Sequence, residues 1–174
     1  MEALKEILVI VLVLTCLISD LLKNKIYNAV IFPAIILGFL INGYLGGIKG
    51  FVLSLEGMFL GMLFLFIPYL LRGIGAGDVK FLGTIGAIKG PAFTLNAFLY
   101  SAIAGGIISL AIMFFDKNSR YKIKSVFLTL LSILGFVPKG LNLLENLDSP
   151  SKKGRFPYGI AITLGTIAAF IFSI

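Results

Sequence analysis

The chain has 174 residues, of which 59% are hydrophobic and only 13% charged, more apolar surface than a soluble core of this size can hide. The solvent it is built for is a bilayer, and one membrane domain with little soluble mass is expected. The formal charge of +7 is no nucleic-acid footprint, because the basic residues sit mostly in loops between apolar runs, where they set orientation and meet lipid headgroups.

In chain order, the first apolar segment runs from about Leu4 to Leu22, with an unbroken core from Ile7 to Leu14. Its length suits a spanning helix. The start lacks a positive excess and no small-x-small site follows, so it is read as a retained span rather than a cleaved signal. A polar junction at 20–28 carries Lys23 and Lys25. A second segment runs from about Tyr27 to Tyr44, Gly43, Gly46 and Gly47 mark a turn, and a third segment runs from about Gly50 to Leu71 with Glu56 inside it. Residues 72–77 form a glycine-rich loop. The fourth segment, about Asp78 to Ile88, is short for a span; Lys89-Gly90-Pro91 breaks it. The fifth, about Ala92 to Phe115, has Ala104-Gly105-Gly106 at its middle, suited to close helix packing. Residues 116–155 form a basic, interfacial connection whose apolar run at 126–137 is too short to span. The last segment runs from about Pro157 to Ile174.

The expected fold class is therefore all-α: a polytopic membrane helix bundle of about six transmembrane helices, forming one domain over 1–174. Six spans place the junctions at 20–28, 72–80 and 116–155 on one face. Twelve of the fifteen lysines and arginines fall there, while Lys5, Lys49 and Lys89 fall on the other side. The positive-inside rule assigns the crowded face to the cytoplasm. Asp20 and Asp78 then lie at the same edge of the bundle.

No histidine is present. That excludes a histidine base, Ser-His-Asp and Cys-His arrangements, and a zinc site of the usual kind. The single cysteine, Cys16, reads as a small buried apolar residue. Neither a metal nor a cofactor is expected. Proton transfer at neutral pH falls to carboxylates, lysines or tyrosines. An ionisable group beside an apolar segment is costly and marks a candidate site. Two carboxylates at one depth cannot both ionise cheaply, so one holds a proton. The pair can then activate water and polarise a carbonyl together. Gly75 and Gly77, just before Asp78, would let a substrate backbone approach. Spacing alone leaves a plainer reading equally open, with Asp20 pairing with Lys23 on a helix surface and Asp78 capping the next helix. Glu56, nearer the opposite face, reads as a structural hydrogen-bonding group or a residue at a wet crevice. Lys80, two residues past Asp78, points to another helix face. It suits phosphate or backbone contacts, a supporting field for Asp78, or simple anchoring.

Taken together, these residues resemble the type IV prepilin peptidase family, which includes the archaeal preflagellin peptidases. Gly75-Ala76-Gly77-Asp78-Val79-Lys80 is similar to its second catalytic motif. Asp20 followed by Lys25-Ile26-Tyr27-Asn28 resembles its first, with Tyr27 where proline is common. Phe156-Pro157-Tyr158-Gly159-Ile160-Ala161 is similar to the signature opening its last helix, with Ile160 in place of proline. The absence of a cysteine cluster looks like the family's short form, a peptidase without methyltransferase activity.

The resemblance implies an aspartic endopeptidase that cleaves the short leader of pilin-like or flagellin-like precursors at the cytoplasmic side of the cell membrane. Asp20 and Asp78 are the implied catalytic pair. Gly75 and Gly77 shape the loop, and Lys80, Asn28, Pro157, Tyr158 and Gly159 support the site or the substrate. The expected partners are the precursor and membrane lipid, with no nucleic acid; the oligomeric state is not readable. The alternative is a small ion- or proton-coupled transporter using the two aspartates as cation or proton sites. Against it, transporter sites favour the midplane. A non-catalytic assembly protein is a third possibility.

Overall fold

A computed structural model describes residues 2–23, 25–71, 73–115 and 158–172. The basic connection at 116–155, with its apolar run at 126–137, lies outside the described residues. Among the described residues all regular structure is helical: α1 (Glu2–Lys23), α2 (Asn28–Leu70), α3 (Ala76–Lys89), α4 (Pro91–Phe115) and α5 (Tyr158–Phe172). Two stretches, Asn28–Leu70 and Pro91–Ala111, are long and apolar enough to cross a membrane. The six expected spans are not all accounted for by these elements.

The helix α1 buries one stripe, Val9, Leu12, Val13, Cys16 and Asp20. That spacing is the helical repeat of a single face. Ile10, Val11, Leu14 and Ile18 point outward and are about half exposed. Such a surface suits lipid and not water.

The 43 residues of α2 would run about 65 Å if straight, roughly twice a bilayer core. They do not. Gly47 takes φ 57° and ψ −141°, a conformation that favours glycine. Asn42 Nδ2 donates to Ser54 Oγ at 2.7 Å, and the rings of Phe39 and Phe51 lie 5.1 Å apart. Positions twelve apart would be separated by about 18 Å along one helix. The element is thus a hairpin, with arms at 28–46 and 48–70. The sequence places two segments and a glycine turn here, and the structure puts the reversal at Gly47.

Against this hairpin packs α3, the central helix. Every residue from Phe81 to Ile88 is buried. A helix apolar all round belongs in a core. Glycines make the contact possible: a Cβ on Gly57 would strike the Gly86 carbonyl, and one on Gly61 would lie 2.7 Å from the Leu82 carbonyl. Close backbone approach of this kind is how helices pack where lipid removes the hydrophobic drive.

With fourteen residues, α3 is about 21 Å long and ends before it could cross a ~30 Å core. Its last carbonyls therefore need partners. Asn42 Nδ2 supplies them, 3.1 Å from the Ala87 oxygen and 3.0 Å from that of Ile88. Gly90, at φ 84°, turns the chain. Pro91 then opens α4 at a position where its missing N–H has no cost. The expected break at 89–91 is a tight corner between two helices.

The buried stripe of α4 is Phe93, Thr94, Ala97 and Ser101, with Thr94 against Gly86 of α3 and Phe93 and Ser101 against α5. A Cβ on Gly165 would collide with Ser101, and one on Gly105 would lie 3.1 Å from the Tyr158 ring. The rings of Phe93 and Phe170 pack at a tilt, their centroids 4.9 Å apart. Buried hydroxyls are satisfied within their own helices, as in Thr94 to the Gly90 oxygen, Ser101 to Ala97, Thr163 to Gly159 and Thr166 to Ile162.

Candidate active site

The core-facing stripe of α1 continues past Cys16 to Asp20, which is 6% exposed. A carboxylate reaches the interior here because it occupies the next position of an apolar face. Its Oδ2 makes no hydrogen bond among the described residues. Lys23, the surface partner that spacing allowed, lies instead over the Tyr27 ring at 5.4 Å. Just after α1, the Lys25 carbonyl accepts from Ser19 Oγ at 2.5 Å. Tyr27, in extended backbone, then caps α2. The junction is thereby tied back onto the helix that carries Asp20.

Asp78 occupies the third position of α3, 8% exposed. Gly75 precedes the helix in extended backbone, and its N–H donates to Asp78 Oδ2 at 3.0 Å. The Asp78 N–H donates back to the Gly75 oxygen at 3.1 Å. The carboxylate thus sits among the free amides and positive dipole of a helix start. The capping role considered from spacing is present in this form, one turn inside the helix. Gly77 meets the first junction: a Cβ there would lie 3.1 Å from Ile26 Cβ. Lys80 Nζ donates to Asn28 Oδ1 at 3.0 Å and sits 5.8 Å from the Phe32 ring.

The third stretch closes the arrangement. A Cβ on Gly159 would lie 2.5 Å from Asp20 Oδ2, so only glycine admits the carboxylate there. The Gly159 amide interacts with the Asp20 carboxylate, and Tyr158 is near enough to Asp78 to feel its charge. Helices α1, α3 and α5 touch one another pairwise. Asp20 therefore reaches the first turn of α5 at Gly159, and Tyr158 in that turn lies within the charge field of Asp78. Pro157 lies outside the described residues. Glu56 is exposed on the second arm of α2 and takes no part.

Sequence reasoning missed the Asn42–Ser54 pair and Ile26. A polar amide inside an apolar run was a usable signal for Asn42. Nothing about Ile26 distinguishes it from other apolar residues. Among the described residues no group of three or more acidic or cysteine side chains comes together.

Helices fit to cross a membrane, with two buried carboxylates gathered at one end of the bundle, define a membrane protein with a carboxylate centre. Residues 7–110 match the type IV leader peptidase family, and the chain belongs to that family. It is a membrane protease of the leader-peptidase kind; the transporter alternative is not favoured. The matched region contains Asp20 and Asp78 and ends before α5. No curated protein and no solved structure matches the chain.

Proposed function

We propose that this chain removes the short leader from type IV pilin-like or archaeal flagellin-like precursors at the cytoplasmic face of the membrane, using Asp20 and Asp78 as an aspartic dyad. The observation that carries this reading is the seat of Asp20 against Gly159, in the turn of α5 whose Tyr158 feels the charge of Asp78, in a chain of the leader peptidase family.

In this mechanism one aspartate is ionised and the other protonated. The ionised carboxylate takes a proton from water as the water oxygen attacks the scissile carbonyl carbon. The protonated carboxyl gives its proton to the carbonyl oxygen, and a tetrahedral gem-diol forms. Collapse passes a proton to the leaving nitrogen, breaks the C–N bond and returns one proton to the pair. Gly75 and Gly77 shape the loop beside Asp78, Gly77 by admitting Ile26. The Lys80–Asn28 bond holds the start of α2 against the start of α3. Tyr158 and Gly159, in the first turn of α5, form the opposite wall, and the apolar helix of the precursor would lie against the bundle in lipid.

Co-expression with a pilin-like precursor tests the reading. A size-shifted product should appear with the wild-type chain and vanish in both Asp20→Asn and Asp78→Asn. Normal processing by either variant rejects the dyad.

A further inference from the structure

We propose that Lys89 is a positioning residue. Its ammonium, held between Glu6 and Glu2, sets the axial register of α1 against α3 and so the relative height of Asp20 and Asp78 at the other end of the bundle. The proposal rests on the dyad assigned above, since it concerns how that pair is aligned.

At this end four helices meet on one side chain. Lys89 Nζ, from the last residue of α3, lies 3.5 Å from Glu6 Oε1 and 3.9 Å from Glu2 Oε2, both on α1. It also sits 5.5 Å from the centre of the Phe93 ring on α4 and 5.2 Å from that of Phe170 on α5. Only 12% of the Lys89 side chain is exposed. A lysine so enclosed is costly unless paired, and two carboxylates and two aromatic faces supply the pairing. By sequence Lys89 is one of three charges on the less basic face, and the dyad chemistry does not use it.

The geometry turns this clamp into a ruler. The contact of Ile26, just past α1, with Gly77 at one end, and of Glu6 with Lys89 at the other, makes α1 antiparallel to α3. From Glu6 to Asp20 is fourteen residues, about 21 Å of helix, and from Lys89 to Asp78 eleven, about 17 Å. The difference of ~4 Å is within the reach of a lysine stem. Between the ends, α1 offers Val9, Leu12, Val13 and Cys16, aliphatic contacts that a slip of one turn could re-form. Such a slip moves a side chain by about 5.4 Å, enough to take Asp20 away from Gly159. The ion pair is what distinguishes one register from the next.

The test uses the full chain in proteoliposomes. In a Cys16→Ala background, Ile26→Cys and Gly77→Cys place two Cβ atoms about as close as a disulfide needs, and their oxidation rate reports register without turnover. We expect Lys89→Met to slow this crosslink and, in the chain without added cysteines, to lower kcat for a pilin-like precursor by about tenfold or more, as misplacement does. KM should stay within about twofold, because the substrate helix docks elsewhere. Lys89→Arg should retain both, and the swap Glu6→Lys with Lys89→Glu should restore both.

Unchanged crosslinking and kcat in Lys89→Met overturn the proposal. Where Lys89→Met fails to accumulate, the swap decides: crosslinking and kcat that stay low in a folded swapped protein overturn it equally. If Asp20→Asn or Asp78→Asn cleaves normally, the dyad falls, yet the crosslinking rates still judge whether Lys89 sets the register.

Discussion

The two ends of the described bundle hold charges in opposite ways. At one end Glu2, Lys5, Glu6 and Lys89 neutralise one another, with Lys5 Nζ 2.8 Å from Glu2 Oε1 and Lys89 facing both glutamates. At the other, Asp20 and Asp78 are both buried and both acidic. Asp78 is held by the Gly75 amide, while Asp20 Oδ2 has no hydrogen bond among the described residues. Paired charges hold helices together. Two buried acids at one end of a bundle are a local conflict with stability, and such conflict is where function is expected.

The largest effect that would sharpen this contrast is loss of activity without loss of fold. Asp20→Asn and Asp78→Asn should each lower cleavage by about 10²–10⁴-fold, the range for removing a general acid or base. Asp20→Asn should melt no lower than wild type in detergent, because it removes an ionisable group from a site that satisfies it poorly. A fall of more than about 4 °C, on the order of 1 kcal/mol, would mean that Asp20 holds the bundle together and would erase the contrast.

Next is Gly159→Ala. A methyl group there would lie 2.5 Å from Asp20 Oδ2, so the carboxylate must move. A displacement of about 1 Å can lower kcat by ~10²-fold. Kinetics on the same precursor check this, and a variant with wild-type kcat would show that the position of Asp20 against α5 is immaterial to turnover.

A smaller effect belongs to the Lys80–Asn28 bond. It joins the two junctions beside the acids and is partly open to solvent. Asn28→Ala should cost about 1 kcal/mol of stability and lower cleavage only a few-fold. Chemical denaturation and precursor cleavage measure the two quantities. A loss of activity as large as that of Asp78→Asn would place Asn28 among the reacting groups.

How much of this was legible in the sequence follows from what each residue type reveals. Apolar runs gave the helices, and a run of glycines gave the hairpin turn, because both signals are local. Lys80 could be directed away from Asp78 by helix spacing alone, but its partner Asn28 lies 52 positions away and no spacing rule reaches it. The helix α3 hid its own burial. With apolar residues on every side it offers no periodic stripe, and its place at the centre emerges only from the glycines it meets on α2. Lys89 opens the Lys89-Gly90-Pro91 break on the less basic face, and nothing local shows that its side chain turns inward to α1. Asn42 was hidden for a similar reason, since the carbonyls it serves at the end of α3 are 45 and 46 positions downstream.

The smallest predicted effect probes the neutralised end by pH. The hydrogen bond from Lys5 holds the Glu2 carboxyl below its usual value of 4.5; partial burial opposes this, and the charges of Lys5 and Lys89 add to it. Glu2 precedes the apolar stretch of α1, so aqueous protons reach it. A carboxyl with a lowered folded-state pKa binds fewer protons than its unfolded counterpart in the window below 4.5. Its contribution is therefore complete above that value and fades as pH falls through the folded-state pKa. Exposed pairs of this kind contribute about 0.2–1 kcal/mol, so Glu2→Gln should lower the melting temperature only slightly at pH 7. The gap between the two proteins should close as pH falls from 4.5 through the lowered folded-state pKa, below which both carry a neutral side chain. Thermal melts of wild type and Glu2→Gln across that range read the gap directly. A gap unchanged by acid would mean that the Glu2 contact acts through packing rather than charge, and the contrast between the two ends would then rest on Lys89 and Glu6 alone.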